Sequence, residues 1–473
     1  MGFYSIIDRN ILLPIGERIF KRNLTAEYKY SMSIEWLSKE ELYELQCLKL
    51  HNLVVHCYNY VPYYRRVFDS LSLTPDDINS REDLCKLPIL TKEIIKKEYT
   101  SLIATDYKNR LYLNSSTGGS TGTPMKYLTD INTWNRLRAA GFRMWHSAGY
   151  DVGDKMFTLA GNSLVKKISD GRRLSAKDIY DIVIMRNNKR NCTDITDAAL
   201  GEHYRSMYNY NPKAIRGYAS SLYFLAKYID QKNLPIPDGV RVVFTTGEKL
   251  HEKYRYKIQQ VFRAPVFDGY GAGDGGIGAY ECPMHEGLHI SEENCILEIV
   301  NNEGSVMPDG DIGFVLSTDL NNYVFPFLRY KVGDMAYIKK TMCSCGRGSR
   351  LLGEVIGREG KAIYNKQGRP YSSIVIDNMM FKNLDYHSRE NQELYERMDR
   401  FQVRQDCKGD IFILIKPVDK SESIHTFNYV RENFLAYFPD SKVELKFVDD
   451  IPTLPSGKED YCVSEYTPGI NNL

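Results

Sequence analysis

A large net charge, a long apolar run and a recognisable signal-peptide core are missing from this chain of 473 residues, and each absence argues against a class of function. Its 62 lysines and arginines balance 60 aspartates and glutamates, for a formal charge of +2. No long-range field therefore draws nucleic acid or an anionic membrane, and charged partners have to be caught locally. No stretch approaches the ~18 apolar residues of a membrane helix, so no transmembrane segment is expected and the chain should be soluble. The apolar residues from Ile6 to Phe20 are interrupted by Asp8, Arg9 and Pro14, which rules out a signal-peptide core and predicts an amphipathic segment packed on the body. Met1-Gly2 begins like a myristoylation site, but position 6 is Ile where that pattern needs Ser or Thr. Without an export signal, the 10 cysteines belong in a reducing, cytoplasmic compartment, as thiols or metal ligands rather than disulfides. Repeats of solenoid period and low-complexity segments are absent as well.

What is present begins at Ser115-Ser116-Thr117-Gly118-Gly119-Ser120-Thr121-Gly122-Thr123-Pro124, after the strand-like Arg110-Leu111-Tyr112-Leu113. Glycines let the backbone approach a ligand closely, while hydroxyls and freed N–H groups face anion oxygens, so the stretch suits phosphate. It is not a Walker loop, because Met125-Lys126 follows Pro124 and no Gly-Lys-Ser/Thr ends the run.

Further segments follow in order: Thr245-Thr246-Gly247-Glu248, Asp268-Gly269-Tyr270-Gly271-Ala272-Gly273-Asp274, Phe325 to Asp334, Gly357-Arg358 and Pro455-Ser456-Gly457-Lys458. Together with the first loop they resemble the ordered core motifs of the adenylate-forming superfamily of acyl-CoA synthetases, adenylation domains and luciferases. Asn52 to His56, Val61-Pro62-Tyr63-Tyr64-Arg65 and Leu87 to Lys92 are similar to the phenylacetate-CoA ligase and CapK-like capsule-biosynthesis branch, so the resemblance spans nearly the whole chain.

That resemblance implies an AMP-forming acid ligase. A carboxylate attacks the α-phosphorus of ATP, pyrophosphate leaves, and the acyl group then passes to an acceptor, CoA in the ligases. Such transfers gain most from positioning and charge neutralisation. By the same resemblance, Ser116, Thr117, Gly118, Gly119, Ser120, Thr121 and Gly122 cradle the β- and γ-phosphates, and Gly247 and Glu248 lie beside adenine and the acyl group. Asp268, Tyr270 and Gly271 meet the nucleotide, with Tyr270 stacked on adenine. Asp274 holds Mg²⁺ in place of the family's Thr-Glu pair, Asp being a hard-cation ligand of shorter reach. Asp334 takes both ribose hydroxyls, Arg358 serves the ribose and phosphate region, and Lys458 is the mobile lysine that bridges carboxylate and α-phosphate, a compact charge on a flexible stem. Gly360 stands where relatives have a hinge acid or lysine, and Lys361 comes one place late. The segment Arg216 to Leu222, with Tyr218 and Ser220, is expected to wall the acyl pocket.

Cys282-Pro-Met-His285 and Cys343-Ser-Cys345 offer four ligands of the type a tetrahedral structural Zn²⁺ takes, with His289 competing for the place of His285; free thiols on two loops are the alternative.

The chain is longer than one core usually serves. From about residue 100 to 350, short apolar runs alternate with helical stretches, which favours an α/β architecture of mixed sheets flanked by helices. Alternation around Lys408-Gly409-Asp410 predicts a hairpin, followed by a helix near Ile424–Phe438 and a strand at Val443–Val448. The expectation is a large domain over 1–357 and a small, mobile α+β domain over 358–473. Three functions stay in view: the CoA ligase, an adenylating enzyme with an amine or carrier-protein acceptor, and a nucleotide-binding scaffold without catalysis. Whether the protein forms a homodimer is open at this point.

Overall fold

The computed structural model describes residues 11–20, 22–117, 125–161, 165, 180–355, 357–358, 363–367, 370–371, 376, 379–380, 397–452, 460 and 462–466. Those within Met1–Leu250 and Lys257–Val355 form one compact unit, and those within His251–Tyr256 and Ile356–Leu473 a second.

The larger unit begins with helices. Helix α1 (Leu13–Phe20) packs on the body as expected, burying Leu13, Gly16 and Glu17 with Phe20 against the same core, while Ile15 and Ile19 stay exposed. Gly16 explains the choice, because an added Cβ would stand 2.6 Å from Ile184 and 2.7 Å from Tyr180. Helix α2 (Leu24–Ser33) leads to α3 (Lys39–Tyr60), which starts at a capping box: Ser38 Oγ accepts from Glu41 N–H, and Glu41 accepts from Ser38 N–H. Pro62 then opens α4 (Pro62–Ser70) at a position where a missing N–H costs nothing. Leu50, Leu53, Val54 and Cys57 on α3 are fully buried, at the i, i+3, i+4, i+7 spacing of a core face.

Strands β1 (Tyr112–Ser116) and β2 (Lys126–Asp130) pair antiparallel, with Ser116 opposite Lys126. Helix α5 (Ile131–Ser147) follows at once, capped by Asp130, which accepts from Asn132 N–H at 3.0 Å. Next come β3 (Met156–Ala160), β4 (Asn187–Asn191), α6 (Asp197–Tyr210), β5 (Ala214–Gly217), α7 (Ala219–Gln231), β6 (Val242–Thr245), α8 (Glu252–Phe262) and β7 (Val266–Phe267). The five strands form a parallel sheet in the order β4-β3-β5-β6-β7. Every residue of β3 and β6 is buried, as a sheet covered on both faces requires.

The chain then turns antiparallel. Strands β8 (Gly269–Ala272), β9 (Ile277–Glu281) and β10 (Leu288–Ile290) make one sheet, while β11 (Cys295–Val300), β12 (Gly313–Asp319) and β13 (Tyr330–Ala336) make another; β14 (Leu351–Leu352) returns to β10. The N-terminal segments brace the turn into β13. Tyr64 donates its hydroxyl to Pro326 O and accepts from Leu328 N–H, and Leu90 exchanges backbone hydrogen bonds with Arg329 O and Lys331 N. Arg329, at φ 48°, is held in a buried ion pair with Glu298 at 3.1 Å and donates to Leu87 O and Gly304 O.

In the second unit, β15 (Met398–Gln405) and β16 (Ile411–Pro417) pair antiparallel around the Lys408-Gly409-Asp410 turn, where Gly409 has φ 83°. Helix α9 (Asn428–Tyr437) packs over them, and β17 (Val443–Phe447) and β18 (Cys462–Ser464) add in parallel to either side. Among the described residues, no helix is long and apolar enough to cross a membrane.

Candidate active site

Three side-chain hydrogen bonds tie the sequence motifs of the larger unit together. Thr245 donates to Asp268 Oδ1 at 2.6 Å, Tyr270 donates to Asp334 Oδ2 at 2.8 Å, and Tyr330 donates to Asp274 Oδ2 at 2.8 Å. The strands that carry them belong to three different sheets, so residues up to 64 positions apart converge. Burial, reinforced by Asp274, pushes the Tyr330 hydroxyl far above its ordinary range and keeps it a donor. Tyr127, on the strand after the phosphate-type loop, packs edge-on against Phe327 and lies near Gly273, bringing that hairpin beside Asp274.

Ser116 and Thr117 stand at the mouth of the β1–β2 hairpin. Thr117 N–H donates to Met125 O at 2.9 Å, and its Oγ1 accepts from Met125 N–H at 3.0 Å, which closes the ladder below the loop. Gly118, Gly119, Ser120, Thr121 and Gly122 lie outside the described residues, as does Lys458; Arg358 is described only as backbone in a short strand.

Gly247 takes φ 78°, a conformation that penalises any side chain, and so turns the chain after β6. Glu248, the next residue, accepts from Ser220 N–H at 2.9 Å in the first turn of α7, where a carboxylate meets the positive end of the helix. Tyr218 and Ser220 are buried at that helix start. Gly271 is different: it is exposed, and an added Cβ would meet only Ile277 O, at 3.6 Å. Packing within the protein does not demand glycine there.

A crevice opens beside these groups, lined by Trp145, Arg216, Phe244, Thr246, Gly269 and Tyr280 among others. It sits at the carboxyl ends of β5 and β6, the edge of an open parallel sheet where ligands bind. Two carboxylates, Asp268 and Glu281, also border it. Asp268 engages Thr245, while Glu281 accepts from Asp268 N–H at 2.8 Å and meets His285 Nδ1 at 3.0 Å.

The cysteine cluster corrects one expectation. Cys282, Cys343 and Cys345 gather with His289, not His285, and their four ligand atoms all lie within 4.8 Å of one another. His285 sits in the turn after β9 at φ 53°, stacks on Phe267 and faces Glu281, which turns it away from the sulfurs. His289, on β10, points Nε2 to Cys345 Sγ at 3.4 Å while Nδ1 meets Ser349 Oγ at 2.8 Å.

Tyr127 and Trp145 escaped the sequence reading, Tyr330 entered it only within the Phe325 to Asp334 segment, and Arg216 only as the first residue of the segment expected to wall the acyl pocket. Only Arg216 leaves a signal there, a charge interrupting the short apolar strand Ala214–Gly217.

No family model matches the chain. Over 349 residues, 70% of this chain and 73% of the relative, it is 25% identical to phenylacetate-coenzyme A ligase of Thermus thermophilus. Over 470 residues, 97% of both chains, it is 22% identical to protein CapK of Staphylococcus aureus. The fold superposes on 2-hydroxyisobutyryl-CoA ligase in its postadenylation state with a TM-score of 0.71 at 15% identity, covering 92% of this chain and 91% of that one. Fold, motif order and relatives define a member of the adenylate-forming superfamily. Within it, the chain is similar to the phenylacetate-CoA ligases and to CapK.

Proposed function

We propose that the protein is an ATP-dependent ligase that activates a carboxylic acid as its acyl-adenylate and then transfers the acyl group to the thiol of CoA. A carboxylate oxygen attacks the α-phosphorus and the bond to the β-phosphate bridge breaks, releasing pyrophosphate. The thiol sulfur then attacks the acyl carbon, losing its proton, and AMP departs. The observation that carries this reading is the Tyr270–Asp334 hydrogen bond, which sets an aromatic face and a two-oxygen acceptor side by side, the pair that a nucleoside's base and vicinal diol require. Gly271 supports it, since a flat ligand lying on that strand supplies the reason for glycine that packing does not. Asp274 commits one oxygen to Tyr330 and has a second for Mg²⁺, which neutralises phosphate charge when bound. Ser116, Thr117 and the loop they open would hold the phosphates, and Lys458 and Arg358 would complete the charge set. Acid-dependent exchange of pyrophosphate into ATP, followed by thioester formation on adding CoA, tests both steps.

A second reading concerns the acceptor. Alignment with CapK runs over 97% of both chains, whereas alignment with the Thermus thermophilus CoA ligase covers 70% of this one, which favours testing amines and carrier proteins beside CoA. The cytoplasm, a reducing compartment, suits the 10 free cysteines.

The Cys282, His289, Cys343 and Cys345 cluster is read as a structural Zn²⁺ site. Cys282 and Cys343 are 3.5 Å apart and Cys345 is 3.4 Å from His289 Nε2, close to the ~3.5–3.8 Å edges of a tetrahedron with zinc–ligand bonds of about 2.0–2.3 Å. Ser349 on Nδ1 fixes the ring so that Nε2 faces the sulfurs. A metal here would pin the end of β9 to the loop after β13.

A further inference from the structure

Arg216 occupies a place in the sheet where a parallel strand is ordinarily apolar. The register across the sheet aligns Lys189, Thr158, Arg216, Phe244 and Phe267 as one row. Lys189 in that row has Asp181 at 2.7 Å. Arg216 has no hydrogen bond or ion pair with a carboxylate among the described residues; its guanidinium lies 5.2 Å from the ring centroid of Trp145, which in turn packs on Phe244. Burial lowers its pKa, and the charge of Arg138 adds to that effect. Arg138, one helical turn after Trp134 on α5, rests on the rings of Trp134 at 4.5 Å and Phe142 at 5.8 Å, and it too lacks a carboxylate partner among the described residues. The acids bordering the crevice are turned elsewhere, Asp268 to Thr245 and Glu281 to the Asp268 N–H and His285. A half-buried arginine against aromatic walls gains from an anion that meets it, and its planar fork suits a carboxylate or phosphate.

The crevice that Arg216 lines also contains Thr246 and Gly269, the residues immediately before Gly247 and Tyr270 of the nucleotide motifs. An acid entering it would present one end to the adenylation site and the other to Arg216. We propose that Arg216 is the specificity residue for the acid and that the substrate is dianionic, carrying a second anionic group besides the carboxylate that is activated. This rests on the ligase reading above.

Pyrophosphate exchange is measured with acids matched in length: dicarboxylates, phosphonocarboxylates and monocarboxylates whose far end is neutral. Dianionic acids should exceed their neutral-ended counterparts about 100-fold in kcat/KM, the scale of a buried charge-assisted pair. Which dianionic series is preferred identifies the second group. Arg216→Met should bring that ratio near one, and Arg216→Lys should keep part of it, with ATP calorimetry on each variant as the check of folding. A wild-type preference for neutral-ended acids overturns the inference, as does an Arg216→Met protein that binds ATP yet loses both acid classes equally, since Arg216 would then hold the reacting carboxylate. Absence of exchange with every acid in wild-type protein that binds ATP overturns the ligase reading, and the inference with it.

Discussion

Tyr270 donates its hydroxyl to Asp334 across 2.8 Å although 64 positions separate them in the chain. The bond joins β8 to β13 and holds the carboxylate in a fixed orientation. Asp334→Ala should weaken ATP binding by about 2 kcal/mol, the scale of charge-assisted hydrogen bonds to a ligand, whereas Tyr270→Phe, which keeps the ring, should cost about 1 kcal/mol. Calorimetric titration with ATP separates the two, and equal losses would mean that the bond matters more than the groups.

Burial pushes the Asp319 carboxyl up to about 7, against hydrogen bonds from the Asn321 N–H and Thr133 and with Asp130 adding repulsion. Its folded pKa lies above its unfolded value near 3.8, so between those limits the native state binds more protons than the unfolded chain. Stability should therefore fall as pH rises from about 4 to 7 and level off above, once both states are ionised. Asp319→Asn should flatten this slope and gain on the order of 2 kcal/mol at pH 8. Denaturant melts across pH 4–8 check it; an unchanged slope in the variant would assign the pH dependence to other groups.

The zinc reading predicts about one equivalent of metal per chain with sulfur-rich coordination. His289→Ala should lose the metal and His285→Ala should keep it, which elemental analysis of both variants decides.

Lys458 is expected to act in adenylation alone. Lys458→Ala should lower pyrophosphate exchange by about a hundredfold or more, the scale of one preorganised cation, while acyl transfer from a supplied acyl-adenylate stays near the wild-type rate. Equal losses in both assays would mean that Lys458 supports the fold or both steps.

The sequence disclosed the site unevenly, for physical reasons. Thr245 to Glu248 and Asp268 to Asp274 were picked out by resemblance, while the turn that ends the buried strand before Gly247 was legible from the residues themselves, since such turns need glycine, and Gly247 at φ 78° bears that out. The hairpin around Gly409 and the strand from Val443 were legible from alternation. Tyr330 and Tyr127 were not, because an aromatic in an apolar strand reads as core until a distant acid such as Asp274 is placed beside it. The choice of His289 over His285 followed the same rule: spacing proposed both, and only the strand direction of β10 against the turn after β9 selected one. Packing of the N-terminal segment on the body was legible, but the exposure of Ile15 and Ile19 was not, because the buried face of α1 centres on Gly16, which has no side chain to read.

The most direct test of the central claim is the product of a single turnover with ATP, Mg²⁺ and a panel of dianionic and neutral-ended acids in the absence of CoA, followed by mass spectrometry. The account predicts an acyl-adenylate and pyrophosphate in equal amounts, converted to AMP and a thioester when CoA is added. ADP and phosphate as products, or ATP recovered intact from the bound protein with every acid, would contradict it.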